Sequence, residues 1–299
     1  MKRPGSNGSA RRLFLVIGIL LVAVPSFGWG QKGHFLVNLA ATAGIPTELP
    51  DFFREASPQL VYLGYDPDRW RGAGESLDAV NPPDHFLDYE YVAGLELPVD
   101  RYAFIELLQE SGTLRRLGIS VSTSGFLPWR IAEVSELLER QWRIWSTADL
   151  TQDERAQVEQ NIIHYAGILG HYVGDAANPH HSTIHYNGWV AMNPEGWAND
   201  CEIHYRFETA FVTRVIEPAD LFSALEEMAR RDDYFSAGLD LIRDSNAEVE
   251  ELYRIDRDGG FTGRGDARGK AFAKDRLARG ASVLRDLWWS TYLNATRDE

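Results

Sequence analysis

Cysteine is almost absent from this sequence, with Cys201 the only one among 299 residues. A disulfide within one chain is therefore excluded, and the fold must be stabilised by other means. A bound metal ion is one such means. Because thiols are lacking, its ligands would have to be histidine nitrogens and carboxylate oxygens.

Positive charge is also scarce, since 30 lysines and arginines stand against 44 acidic residues and give a net charge of −14. An acidic surface opposes contact with the phosphate backbone, so we expect no stable partner of duplex nucleic acid. A phosphate-containing substrate held by metal ions is not excluded, because the charge of the metal dominates locally.

Apolar runs long enough to span a bilayer are missing as well. The run "LFLVIGILLVAV" is about a dozen residues, follows four basic residues, and precedes small residues at Ser26 and Gly28. This pattern predicts a cleaved export signal over residues 1–28, with a retained anchor as the alternative. We expect a secreted or periplasmic mature chain of net charge −18, without a transmembrane segment, because the removed part carries four basic residues.

Strand patterns are sparse, and apolar residues instead recur at spacings of three and four. "TQDERAQVEQNIIHYAGILGHYVGD" opens with Thr151, and Glu154 follows in a capping-box arrangement. Its second half is apolar nearly all round, as in a central buried helix. The predicted helices are 33–44, 128–145, 151–175, two within 219–253, and 268–295. The sequence therefore predicts one all-α domain over residues 29–299.

Histidine and acidic residues recur four positions apart at two places, which is the spacing of neighbours on one face of a helix. His171 and Asp175 form one pair, and His204 and Glu208 form the other. Residues four apart share a helix face with Cβ atoms roughly 5–6 Å apart, so both can reach one ion. Further candidate ligands lie outside these pairs, namely His34, His85 and His181.

Each of these signals is weak alone, because a single histidine is more often a core or surface residue. We expect that His164 is not a metal ligand, and a ligand role for His180 or His185 is equally doubtful. Core or surface roles do not readily explain two helical pairs and three further histidines occurring together. Nitrogen and carboxylate ligands without thiolate favour zinc in a hydrolytic site with open coordination positions.

Five short segments carry these candidates in order: "WGQKGH", "DPDRWR", "DHFLDYE", "HYVGDAANPHH" and "HYRFE". From Trp29 to about residue 210, the sequence resembles the superfamily of zinc-dependent phospholipases C and single-strand-specific nucleases of the nuclease P-one type. The resemblance implies an all-helical domain in which three zinc ions occupy a cleft.

The resemblance also implies three ligand sets. Trp29, through its α-amino group and carbonyl oxygen, would hold one zinc together with His34. The set for a second zinc, with Asp175 bridging to the first, would be Asp68, His85, His171 and Asp175. The set for the third zinc would be His181, His204 and Glu208. Trp29 supplies an amine only after cleavage behind Gly28, so export processing would complete the site.

Roles in catalysis follow from the same resemblance. Asp68 and Asp175 would act as ligands of the catalytic ions, and Asp66 is the alternative to Asp68. Arg71 would clamp the phosphate group, which makes it a catalytic and a substrate-binding candidate.

Two further residues are candidates for contact with the substrate. Asp88 matches an acid that lines the base pocket in the nuclease branch, although phospholipases also carry an acid at that place. Phe86 could stack on a base, but core packing is the commoner role of an aromatic residue.

The two branches of the superfamily compete for this sequence. The steps from Trp29 to His34 and from His181 to His204 resemble the nuclease branch, whereas Glu208 in place of aspartate resembles the phospholipases. We expect a monomeric trizinc phosphodiesterase that cleaves single-stranded nucleic acid to 5′-phosphorylated products. The alternatives are a phospholipase C that acts on phospholipid head groups and a non-catalytic zinc-binding protein.

Overall fold

The computed structural model describes residues 29–147 and 149–296. The predicted export signal, residues 1–28, lies outside this described part. Within it, helices and turns dominate, and only isolated β-bridges such as Leu87–Gly125 occur in place of strands. The prediction of an all-α fold is confirmed.

The described residues contain fifteen α-helices and four helical segments of other types. The α-helices are α1 (Gln31–Ala43), α2 (Asp51–Glu55), α3 (Ser57–Leu63), α4 (Asp66–Arg69), α5 (Glu75–Val80), α6 (Arg101–Glu110), α7 (Thr113–Leu117), α8 (Val121–Ser124), α9 (Leu127–Trp145), α10 (Gln152–Ala176), α11 (Val212–Val215), α12 (Pro218–Phe222), α13 (Tyr234–Ala247), α14 (Val249–Arg257) and α15 (Ala267–Thr296). The 3-10 helices are Pro82–His85, Tyr89–Tyr91 and Pro179–Ser182, and a π-helix spans Tyr205–Phe211. None of the described helices combines the length and the apolar character that crossing a bilayer requires.

Helix α10 lies at the centre of the fold. It begins as predicted, because the Thr151 side chain accepts from the N–H of Glu154 and the Glu154 carboxylate accepts from the N–H of Thr151. Helices α1, α3, α9, α13 and α15 all pack against it. Every residue from Ala166 to Ala176 is buried as a result. This burial explains the all-round apolar pattern and places the polar residues of that stretch in the interior.

The segment 219–253 departs from the prediction of two helices, since α12, α13 and α14 all fall at least partly within it. A non-helical stretch separates α12 from α13. There the N–H of Glu226 donates to the Ser282 hydroxyl, and the N–H of Arg231 donates to the Ser290 hydroxyl. Both serines lie on α15, so tertiary hydrogen bonds replace the helical ones that the local sequence favours.

Candidate metal centre

The segment around His85 is held in place by its backbone. The N–H of Leu87 donates to the carbonyl of His181 over 2.9 Å. Gly125 lies beside the segment with φ of +82°, and a Cβ at this position would lie 2.0 Å from the carbonyl oxygen of Phe86. Only glycine permits this approach. The backbone directly after His85 is therefore fixed by contacts with His181 and Gly125.

Three groups of buried histidine and acidic side chains converge beside α10. Within each group, one ligand atom per residue lies within 4.8 Å of the others. We call them the His34 group (His34, His171, Asp175), the Asp68 group (Asp68, His85, His171) and the Glu208 group (His181, His204, Glu208). The structure therefore brings together all eight side chains that the sequence suggested as metal ligands.

The carboxylate of Asp175 lies between the His34 group and the Asp68 group. Its Oδ1 atom is 3.5 Å from Nε2 of His34, and its Oδ2 atom is 3.0 Å from Nδ1 of His85. Nδ1 of His171 lies 3.0 Å from the carbonyl oxygen of Gly64, to which it donates, so Nε2 faces the acids. One oxygen towards each group is the arrangement that a bridging carboxylate needs.

Asp68, and not Asp66, lies in a ligand group. The Asp68 carboxylate is buried and pairs with the Arg71 guanidinium over 2.6 Å. Asp66 instead accepts hydrogen bonds from the indole of Trp70 and the guanidinium of Arg69. The structure thus separates the two alternatives and places Arg71 at the edge of the Asp68 group.

The Glu208 group is built on the π-helix and on the turn after α10. Nε2 of His204 lies 2.7 Å from Oε2 of Glu208, and the Asn178 amide donates to the same oxygen over 3.2 Å. Nδ1 of His181 donates to the carbonyl oxygen of His85 over 2.6 Å, which turns its Nε2 towards Glu208. The Asn178 contact was not predicted, because its local pattern before Pro179 indicates only a helix cap.

Burial shifts most of these groups towards their neutral forms. It lowers the pKa of His85 to about 4 and that of His204 to about 3, and it raises the pKa of Glu208 to about 8. Burial also raises the pKa of Asp175, but the positive charges of His181 and His171 outweigh it and hold that pKa well below its usual value. A neutral imidazole at His85 and His204 and an ionised carboxylate at Asp175 are the forms that bind a metal ion, and Glu208 would release its proton on binding one.

Several buried polar atoms in the three groups have no hydrogen-bond partner among the described residues. They include both ring nitrogens of His34, Nε2 of His85 and Oε1 of Glu208. Leaving a buried polar atom unpaired costs about 1–3 kcal/mol, so a cluster of them calls for a ligand. Nitrogen and oxygen donors without thiolate match the chemistry of zinc, and the residues present therefore fit this ion.

A cavity of about 270 Å³ opens beside the groups. Its lining residues are Pro82, His85, Phe86, Asp88, Thr123, His180, His181, Tyr186 and His204. Phe86 and Asp88 were predicted to contact substrate, whereas Tyr186 and Thr123 carry no signal in the sequence. Burial, helped by the negative charge of Glu90, raises the pKa of Asp88 to about 8. The cavity is thus mainly apolar, with one carboxyl group and the edges of two ligand groups.

Trp29 is fully buried next to the ligand groups. Its indole N–H donates to the carbonyl oxygen of Gly174 over 2.8 Å, and its ring centroid is 5.2 Å from that of Phe207. This hydrogen bond anchors the first residue of the predicted mature chain beside Gly174, the residue directly before Asp175.

The three histidines for which a ligand role was doubtful, His164, His180 and His185, all lie outside the ligand groups. His164 is exposed, His180 stacks on His204, and His185 stacks on Trp189.

Comparisons with known proteins add little beyond the geometry. One similar solved structure is an alpha toxin from Clostridium absonum, with a TM-score of 0.44 and 12% sequence identity. The alignment covers 88% of this chain but 64% of the toxin chain, so this chain spans less than two thirds of the toxin's length. No family model and no curated protein matches the sequence.

Proposed function

We propose that this chain is a zinc-dependent hydrolase of phosphate esters that acts on phospholipid head groups. The observation that carries the proposal is the contact between the ligand groups and an open cavity. His85 and His181, from two different groups, form part of the cavity wall. Catalytic zinc sites leave positions open to substrate, whereas purely structural sites are closed by protein ligands.

Different residues of the chain would hold the metal ions, contact the phosphate group and orient a ligand. Zinc, when bound, supplies Lewis acidity and an activated water at neutral pH. Asp175 and the surrounding imidazoles would hold the ions close together. The Arg71 guanidinium beside Asp68 would contact phosphate oxygens through charge-assisted hydrogen bonds. Asn178 would keep the Glu208 carboxylate oriented.

The cavity favours a lipid head group over a nucleotide, which reverses the order expected from the sequence. Phe86, Tyr186 and Asp88 present two aromatic rings and one carboxyl group to the same space. Aromatic faces attract quaternary ammonium groups such as that of a choline lipid. A net charge of −14 also opposes a polyanionic strand more than a zwitterionic lipid.

Single-strand nuclease activity is the second candidate. Phe86 lines the cavity beside Asp88, and this pair would also accept a stacked base that donates a hydrogen bond. We further propose that three zinc ions bind per chain and that the active form is exported and begins at Trp29. The burial of Trp29 beside the ligand groups supports this start.

The test compares three substrates for the zinc-loaded protein with and without a chelator. They are a short-chain phosphatidylcholine, a single-stranded oligonucleotide and bis-p-nitrophenyl phosphate. We expect chelator-sensitive hydrolysis, with the lipid cleaved fastest. Faster cleavage of the oligonucleotide would favour the second candidate. Absence of hydrolysis at every zinc loading would favour a non-catalytic zinc protein.

A further inference from the structure

A loop borders the mouth of the cavity, and we call residues 184–199 the mouth loop. Tyr186 lies near its start and lines the cavity together with His181. The same Tyr186 also lines a shallow hollow formed by the loop itself, with Trp189 and Val190. The surface of the mouth loop is therefore continuous with the candidate active site.

The mouth loop is firmly anchored on its inner side. Trp189 stacks on His185 with ring centroids 3.7 Å apart and contacts Trp197 at 4.0 Å. Its indole N–H donates to the carbonyl oxygen of Met192 over 3.1 Å. The N–H of Gly188 donates to the hydroxyl of the largely buried Tyr253 on α14. These contacts fix the direction in which the loop tip points.

The tip presents apolar side chains to the outside. Met192 is 89% exposed and Val190 is 49% exposed, although a cluster of aromatic rings lies directly behind them. Ala191, between the two, adopts a φ of +74°, which is strained for a residue with a Cβ. The anchored backbone thus holds both side chains away from the core.

The tip also lies in a stretch without charge. Between Asp175 and Glu195, 19 consecutive residues include no Asp, Glu, Lys or Arg, although 25% of the chain is charged. Because the rest of the protein is acidic, an uncharged and apolar loop tip can contact a surface without net charge more favourably than an anionic one. Anionic membranes and polyanionic strands would be repelled by the acidic remainder of the surface.

We propose that Val190 and Met192 dock the protein on the surface of a zwitterionic lipid layer by inserting their side chains among the head groups. Exposed apolar patches next to a site are typical of interaction surfaces, and shallow insertion of apolar side chains is a usual mode of interfacial binding. The proposal rests on the phospholipid substrate proposed above. Docking through the mouth loop would bring a head group to the cavity beside Tyr186.

The test measures sedimentation of the zinc-loaded protein, purified after expression of the full chain, with phosphatidylcholine vesicles. The variant Val190→Ser/Met192→Ser should partition about tenfold more weakly, because a buried Val or Met side chain is worth about that factor or more. The matched control is Val99→Ser/Met228→Ser, whose residues are 59% and 36% exposed on other segments. Hydrolysis of the soluble bis-p-nitrophenyl phosphate should be equal in all three proteins.

Equal partitioning of the wild type and the Val190→Ser/Met192→Ser variant would overturn the docking proposal. So would wild-type binding to phosphatidylglycerol vesicles alone, or a variant that loses affinity only for a single-stranded oligonucleotide. Failure of the proposed function is seen separately, as absence of phosphodiester hydrolysis in all proteins. The vesicle result decides the docking surface even then.

Discussion

His34 and His171 stack ring on ring, with centroids 3.9 Å apart and planes inclined by 18°. Two positive rings at this distance would repel each other, and burial together with His171 lowers the pKa of His34 well below its usual value. Nε2 of His171 lies 3.3 Å from Asp175, and Nε2 of His34 lies 3.5 Å from it. The stack thus presents one neutral imidazole and one shared acid where a metal ion can bind.

Substitution of the shared carboxylate should affect two metal sites together. We expect Asp175→Asn to lose about two zinc ions per chain and to lower phosphodiesterase activity by orders of magnitude, because one side chain faces two ligand groups. Elemental analysis of the purified protein measures the zinc. His164→Gln is the control, since His164 is exposed and lies outside the groups. Loss of zinc in His164→Gln together with unchanged zinc content in Asp175→Asn would show that the metal-binding face of α10 is wrongly assigned.

Extension of the chain before Trp29 should remove one zinc ion. A peptide nitrogen is a poor ligand, whereas a free α-amino group has a pKa of about 7.7–8.0 and loses its proton readily to a metal. A protein with a few added residues before Trp29 should therefore bind about one zinc fewer and lose most activity. The comparison is with protein that begins at Trp29. Equal zinc content and equal rates would remove Trp29 from the site.

Asp88 should make stability depend on pH in a predictable direction. Burial raises its pKa from 3.8 to about 8, so the folded protein keeps a proton that the unfolded chain has already released. The free energy of unfolding should fall with rising pH between these values, by up to about 1.4 kcal/mol per pH unit. Asp88→Asn should abolish this part of the decrease.

Urea denaturation at pH 5 and pH 8 measures this difference for Asp88→Asn and the wild type. Both proteins share every other titrating group, so the difference between their two pH dependences isolates Asp88. Identical slopes in the two proteins would mean that Asp88 is ionised in the folded state.

Asn178 should influence zinc affinity without being a ligand. Its amide donates to Oε2 of Glu208. Loss of a hydrogen bond that orients a metal ligand typically lowers metal affinity by about 10- to 100-fold. Asn178→Ala should therefore release one zinc at a lower concentration of a competing chelator. Asn246→Ala is matched, because Asn246 donates only to the carbonyl oxygen of Ser182. Release of zinc from Asn178→Ala and the wild type at the same chelator concentration would contradict a role of Asn178 in orienting Glu208.

Local patterns predicted the parts of the molecule that depend on local interactions. The capping box at Thr151 and the pairs on one helix face follow from short-range spacing, and the structure contains them. The non-helical stretch before α13 could not be predicted, because its backbone bonds to Ser282 and Ser290, far along the chain. Tyr186 was missed for a related reason, since only the folded loop brings it to the cavity.

The sequence alone could not decide whether Asp66 or Asp68 is the metal ligand. The two acids are two positions apart, and either could be a ligand by residue type alone. The short helix α4 turns Asp68 inward, while Asp66 is occupied by Trp70 and Arg69. Geometry, and not composition, distinguishes them.

The π-helix at Tyr205–Phe211 has a consequence for the length of the chain. A π-helical turn holds one residue more than an α-helical turn of the same rise, so it is equivalent to a one-residue insertion. Deletion of Thr209 would remove this extra residue and allow an ordinary α-helix, with successive side chains about 100° apart around its axis, to continue through the segment. His204 and Glu208 would keep their four-residue spacing but would change direction together relative to His181, although no ligand had been changed. In this part of the chain, the number of residues matters as much as their identity.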